Sequence, residues 1–312
     1  MGSRSAFGMD LTMEGSGTME GSQALRQELV HRTSHFEYGG DTRDSLYLLL
    51  FEESGEGSEL MSEYYNPHKT RNLFVPNSDD PFTISRSGVD LFLQCPRCFY
   101  IDKRLGTSRP PGYPFSLNNA VDALLKKEFD VHRAAGSAHP LMKKYKIDAV
   151  PYPNDKLEEW RNSRTQGIKF FHSPTNLLVR GGVDDVWLNG KNELHIVDYK
   201  ATSKSTEVNL DAEWQIGYKR QVEVYQWLFR RNDFPVSNIA YFVYCNGNAD
   251  KEAFDAKLEF DIKIIPYEGN DDWIEGTLKE IKKCLESDEL PESGKNCDYC
   301  DYCGARNEIE NA

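Results

Sequence analysis

The stretch Arg180-Gly181-Gly182-Val183-Asp184-Asp185-Val186-Trp187-Leu188-Asn189-Gly190-Lys191-Asn192-Glu193-Leu194-His195-Ile196-Val197-Asp198-Tyr199-Lys200 decides how this chain is read. Strand-forming residues run from Asn176 to Leu188 and again from Glu193 to Asp198, and Asn189-Gly190 between them is a hairpin-turn signal. A side-chain period of two puts Asp198 and Lys200 on one face of the second strand and Tyr199 on the other. Antiparallel pairing brings Asp184 close to Asp198, because the midpoint of the two acids, residue 191, lies just past the turn. Gly181 and Gly182 leave room for a ligand or a second backbone.

Working outward, Ser85 or Ser87 caps a helix through Val89, Leu91, Phe92 and Leu93. A second helix is expected near 117–133, with Ala120, Val121, Leu124, Leu125 and Phe129 as its apolar stripe. Beyond the hairpin come a long helix over 211–231, strands at Ile239–Cys245 and Lys257–Pro266, and an amphipathic helix over Asp271–Glu286. Helices interleaved with strands in this order predict an α/β fold with a mixed central sheet flanked by helices.

Two carboxylates at the end of a buried strand pair are costly unless they pair with a cation or hold a metal. Hard oxygen ligands suit one or two Mg²⁺ or Mn²⁺ ions, which polarise a phosphoryl oxygen and acidify a bound water. A lysine two residues along can orient that water or meet the charge that develops. An isolated Asp-x-Lys is usually an ordinary charged pair. Here Gly-x-x-Asp, a turn and an apolar strand ending in Asp-x-Lys occur in order.

Gly181 with Asp184, then Asp198-Tyr199-Lys200, then Gln221-x-x-x-Tyr225 together resemble the PD-(D/E)XK nuclease superfamily, in its RecB-like exonuclease branch. Gln221 and Tyr225 share a helix face by their i, i+4 spacing. The resemblance covers about 82–306. It implies a restriction-endonuclease-like core with a helical insertion and a metal-dependent deoxyribonuclease acting on DNA ends or single strands, in repair, recombination or defence. It implies Asp184, Asp198, Lys200, Gln221 and Tyr225 as catalytic residues, and Asp122, Asp184 and Asp198 as metal ligands. Asp122, on the helix expected near 117–133, falls at the helix position where the resemblance implies a metal ligand and where many relatives carry His. A rival reading is a nuclease-fold module that grips DNA without cutting it, and another is a scaffold whose cysteines hold zinc for partner binding.

Cys95-Pro96-Arg97-Cys98 follows the first helix, and Cys297-Asp298-Tyr299-Cys300-Asp301-Tyr302-Cys303 lies in a C-terminal cysteine-rich segment, 291–306. Cys-x-x-Cys spacing lets loops wrap a metal. Some RecB-like nucleases tie one early cysteine to three late ones around an iron–sulfur cluster, which implies Cys95, Cys297, Cys300 and Cys303. Their late spacing is Cys-x2-Cys-x5-Cys, whereas this chain has Cys-x2-Cys-x2-Cys, with Arg306 where the last cysteine belongs. Three readings stay open: a [4Fe–4S] cluster with Cys95, a Zn²⁺ site using Cys95 and Cys98, or no metal. Cys245 and Cys284 read as packing cysteines.

Charge is unevenly spread. Residues 1–60 hold 11 acids and 4 bases, and the other 252 residues hold 39 and 33, so any DNA contact needs a local basic groove. Lys219 and Arg220, just before Gln221, are candidates, as are the aromatics Tyr113, Phe115, Trp214 and Tyr218 for stacking on bases. The near-repeat of Met-Glu-Gly-Ser within 13–22 marks 1–60 as an extraneous or flexible leader, or else a small native extension. It is followed by an arm over 61–81, a nuclease-like domain over 82–306 and a tail over 307–312. No long apolar run predicts a membrane span, no export signal is present, and the seven cysteines fit a reducing, cytoplasmic setting. A helicase or repair partner is left open.

Overall fold

The computed structural model describes residues 68–112 and 115–312. The leader, the first part of the arm and Tyr113 lie outside the described residues. Within them the elements are β1 (Phe82–Ser85), α1 (Arg86–Gln94), α2 (Pro96–Lys103), α3 (Ser116–Ala134), α4 (Pro140–Lys144), β2 (Ala149–Pro151), α5 (Leu157–Arg161), β3 (Ile168–His172), β4 (Leu177–Gly181), β5 (Asp185–Asn189) and β6 (Leu194–Thr202). The second half adds α6 (Ile216–Arg231), β7 (Ile239–Gly247), β8 (Phe260–Glu268), α7 (Trp273–Glu286) and α8 (Asp298–Glu310). The mixed, helix-flanked architecture is the one expected.

The central sheet has five strands in the order β2-β5-β6-β7-β8, and β1-β4-β3 form a smaller one. β6 and β7 run parallel, joined through α6, while the other pairings of the central sheet are antiparallel. Residues 222–229 of α6 are all buried, as befits a helix covered on several sides rather than along one stripe. Alternation sorts β6: Val197 and Tyr199 pack against Leu125 and Phe129 of α3, while Ile196 joins the core around α6.

The expected strand Asn176–Leu188 is two strands in two sheets. Their break falls at Gly182-Val183-Asp184, where the backbone leaves one sheet for the other. Neither glycine opens space for a ligand. A Cβ on Gly181 would lie 2.5 Å from Cε1 of Tyr225, and one on Gly182 would lie 2.7 Å from Cα of Ser163, so both serve close packing. The hairpin turn is also longer than a two-residue Asn-Gly turn. Asn189 Oδ1 accepts from Lys191 N and Glu193 N, each at 2.9 Å, and Asn192 rather than Gly190 takes the left-handed conformation, with φ 63°.

Ser85 caps α1, its hydroxyl accepting from Gly88 N at 3.2 Å. Helix α3 matches the expected span, but Leu124 is exposed; Leu125 and Phe129 carry its burial. The stretch between α3 and β4, which shows no clear periodicity, contains α4, β2, α5 and β3. No helix among the described residues is long and apolar enough to cross a membrane.

Candidate active site

The pairing of β5 with β6 sets Asp185 opposite Val197, which continues to Asp184 opposite Asp198. Asp184 sits just before β5, and its Oδ2 accepts from Tyr199 N at 3.0 Å, so the carboxylate closes the end of the ladder. Asp198 is fully buried on β6, and the Lys200 ammonium forms an ion pair with it. Lys200 Nζ also lies 3.5 Å from Gln221 Oε1 and 4.5 Å from the ring centre of Tyr218. Gln221 Nε2 donates to the Tyr225 hydroxyl at 3.3 Å, so the i, i+4 pair on α6 forms one wall.

Asp122, on α3, faces the same space. Lys126, one turn further along α3, places its Nζ 2.7 Å from Asp122 Oδ2 and 3.2 Å from Asp184 Oδ1. A cleft of about 310 Å³ opens here, lined by Asp122, Asp184, Lys200, Phe115, Tyr218 and Asn119 among others. The structure therefore brings Asp122, Asp184, Asp198, Lys200, Gln221 and Tyr225 into one neighbourhood.

Burial raises the Asp198 carboxyl to about 6, with Asp184 adding to the effect and Lys200 opposing it. Burial, reinforced by Asp184, also raises Asp122. Burial acts against the charge of Lys200, but Asp198 and Asp184 outweigh it and hold the ammonium firmly protonated. Lys126 is held protonated in the same way by Asp184 and Asp122.

The donors suit a divalent cation. Apart from the ion pair with Lys200, neither buried oxygen of Asp198 has a hydrogen-bond partner among the described residues, and the same holds for Oδ1 of Asp122. Such orphaned anionic oxygens are costly without a cation to meet them. The three aspartates do not, however, bring three ligand oxygens within 4.8 Å of one another; among the described residues only a cysteine group does so. The Lys126 ammonium stands between Asp122 and Asp184, where positive charge is already required.

Lys126 and Arg86 were not singled out as site residues from sequence. The first was legible as the i+4 partner of Asp122. Arg86 opens α1, and there burial opposes its charge while Tyr225, Asp90 and Asp198 more than compensate. Nothing in its local sequence marks that role. Arg220 pairs with Asp90 at 3.3 Å, and Lys219 lies over the Tyr267 ring at 5.9 Å, so each has a partner within the fold. Glu223 is a structural anchor, accepting from the Tyr267 hydroxyl at 2.6 Å, Trp273 Nε1 at 2.8 Å and Asn270 N at 3.2 Å. His195 is likewise structural, its Nδ1 lying 2.7 Å from Ile239 O.

A second cluster joins Cys95, Cys98, Cys297 and Cys300. The expected set had Cys303 in place of Cys98. Cys303 is exposed and stands outside the group, whereas Cys98 Sγ lies 3.6 Å from both Cys297 Sγ and Cys300 Sγ. Cys245 and Cys284 are apart from the cluster, and burial pushes each thiol up to about 11.

A model of the PD-(D/E)XK nuclease superfamily matches residues 83–305, and the chain belongs to that superfamily. No curated protein matches the chain. Eight solved chains match it. One, described as "Crystal structure of SSO0001", is 16% identical, with 73% of this chain and 86% of that one covered and a TM-score of 0.35.

Proposed function

We propose that this chain is a Mg²⁺- or Mn²⁺-dependent deoxyribonuclease of the RecB-like kind, cutting phosphodiester bonds at DNA ends or in single strands during repair, recombination or defence. The observation that carries the reading is the buried Asp198–Lys200 pair on β6 beside Asp184, where, apart from the Lys200 ion pair, the Asp198 oxygens have no hydrogen-bond partner among the described residues. Asp184 and Asp198, with Asp122, would hold the cation. Once bound, it supplies a polarised phosphoryl oxygen and an acidified water.

The chain's own residues do the rest. Lys200 stays protonated between Asp198 and Gln221 and offers a fixed positive charge where a pentavalent phosphorus builds up negative charge. Gln221, braced by Tyr225, limits where that ammonium can sit. Phe115 and Trp214, each more than half exposed, and Tyr218 at the cleft present rings on which unpaired bases can stack.

The test is cleavage of fluorescent single- and double-stranded DNA with Mg²⁺, Mn²⁺ or EDTA. Cutting that needs a divalent cation and disappears in Asp184→Asn supports the reading. Binding without cutting in every metal would identify a DNA-gripping module instead.

A pH dependence follows from Asp198. Its carboxyl is raised to about 6, so protonation competes with cation binding as pH falls through that value. Apparent Mg²⁺ affinity, measured by calorimetry, is expected to drop roughly tenfold per pH unit below about 6 and to level off above it. A flat affinity between pH 5 and pH 7.5 would count against Asp198 as a ligand.

A further inference from the structure

Some RecB-like nucleases hold a four-iron cluster at comparable cysteines, but the sulphurs here do not stand where such a cluster needs them. We infer that Cys95, Cys98, Cys297 and Cys300 hold a single Zn²⁺ ion as a tetrathiolate. This site is separate from the aspartates, and the inference does not rest on the nuclease reading.

Zinc–sulphur bonds of about 2.3 Å in a tetrahedron put neighbouring sulphurs about 3.8 Å apart. Here the Cys95–Cys300 separation is 3.7 Å and Cys98 lies 3.6 Å from Cys297 and from Cys300, while all four sulphurs fall within 4.8 Å of one another. A cubane places its thiolates on four different irons, so the iron–iron spacing is added between them and carries them well beyond 4.8 Å. None of these separations is the about 2.0 Å of a disulfide.

The surroundings suit anionic sulphur. Cys95 Sγ accepts from Gly294 N at 3.2 Å and from Cys98 N at 3.4 Å. Arg109 donates to Cys297 Sγ at 3.2 Å, placing one cation beside a site whose thiolates outnumber the charges of the ion. The two pairs are built alike. Cys95 is the N-cap of α2 with Cys98 in its first turn, and Cys297 is the N-cap of α8 with Cys300 in its first turn. Both helix N-termini thus point positive ends at the sulphurs.

The experiment is metal analysis of the full chain, purified without oxygen from cells supplied with both iron and zinc. The expected result is one zinc per chain, a colourless protein, and the visible spectrum of a tetrahedral thiolate site when cobalt(II) replaces zinc. Cys98→Ser is expected to lose at least about tenfold in zinc affinity, whereas Cys303→Ser keeps zinc and melting temperature. Iron with equal acid-labile sulphide and absorption at about 400 nm would overturn the inference, as would a single bound iron or no metal at all. So would zinc retained in Cys98→Ser but lost in Cys303→Ser, and the wild-type stoichiometry decides even if Cys98→Ser fails to fold.

Discussion

Lys200→Met is expected to slow phosphodiester cleavage at least about 10²- to 10³-fold, the scale of losing one preorganised charge at a developing anion. Methionine is close in length and fills the slot between Asp198 and Tyr218, so packing is largely kept while the charge goes. Asp198 would then face Asp184 without its counter-ion, and burial would drive its carboxyl further up. It would respond by taking a proton rather than by unfolding the strand. Mg²⁺ affinity should therefore fall along with the rate. Lys200→Arg keeps the charge but brings a wider, planar group, and should rescue little. Initial rates on a fluorescent single strand, taken beside melting curves, separate lost chemistry from lost fold. A Lys200→Met protein that cuts at the wild-type rate would remove Lys200 from the mechanism.

The second large effect separates two neighbouring acids. Asp185→Ala is expected to cost about 3 kcal/mol of stability, because it removes the fully buried carboxylate shared by Arg133 and Arg161 and leaves them only the more exposed Asp130 and Glu158. Asp185 is fully buried on β5, where Arg133 pairs with it and Arg161 lies 3.5 Å away. Its oxygens also accept from the Tyr199 hydroxyl at 2.7 Å, Val186 N at 2.8 Å and Trp187 Nε1 at 3.2 Å. It thus joins α3 and α5 to the sheet. Against a total stability of about 5–15 kcal/mol the loss is a large share. Asp184→Asn should behave oppositely, keeping an acceptor for Tyr199 N and costing about 1 kcal/mol or less while ending cleavage. Denaturant midpoints beside rates test both. Equal midpoints for Asp185→Ala and wild type would show that Asp130 and Glu158 alone suffice for the two arginines.

The geometry of the candidate site was readable because strands impose a period of two and helices a period near four. Those two rules place Asp198 and Lys200 on one face, Asp184 across from Asp198, and Gln221 over Tyr225. The apparent single strand from Asn176 was misleading because β-rich composition does not reveal where a chain changes sheets; that depends on Tyr225 and Ser163 pressing on Gly181 and Gly182. The short α4, β2, α5 and β3 are held by tertiary packing and carry little periodicity of their own. At the cysteines, Cys-x2-Cys-x2-Cys offers two equivalent pairs, and only helix α8 beginning at Asp298 decides that Cys297 and Cys300 face inward. Arg86 was missed because, Asp90 of its own helix apart, its partners come from α6 and β6.

The four clustered cysteines also order events during synthesis. Two emerge at the start of the domain and two near its end, with Cys98 and Cys300 separated by 202 positions. A ribosome must therefore complete nearly the whole nuclease domain before the sulphurs can meet. A nascent or truncated chain that stops short of Cys297 has only half of the set and leaves Cys95 and Cys98 open to other thiols or stray metal. Closing the cluster is a late step, and it marks which chains have been made as far as α8.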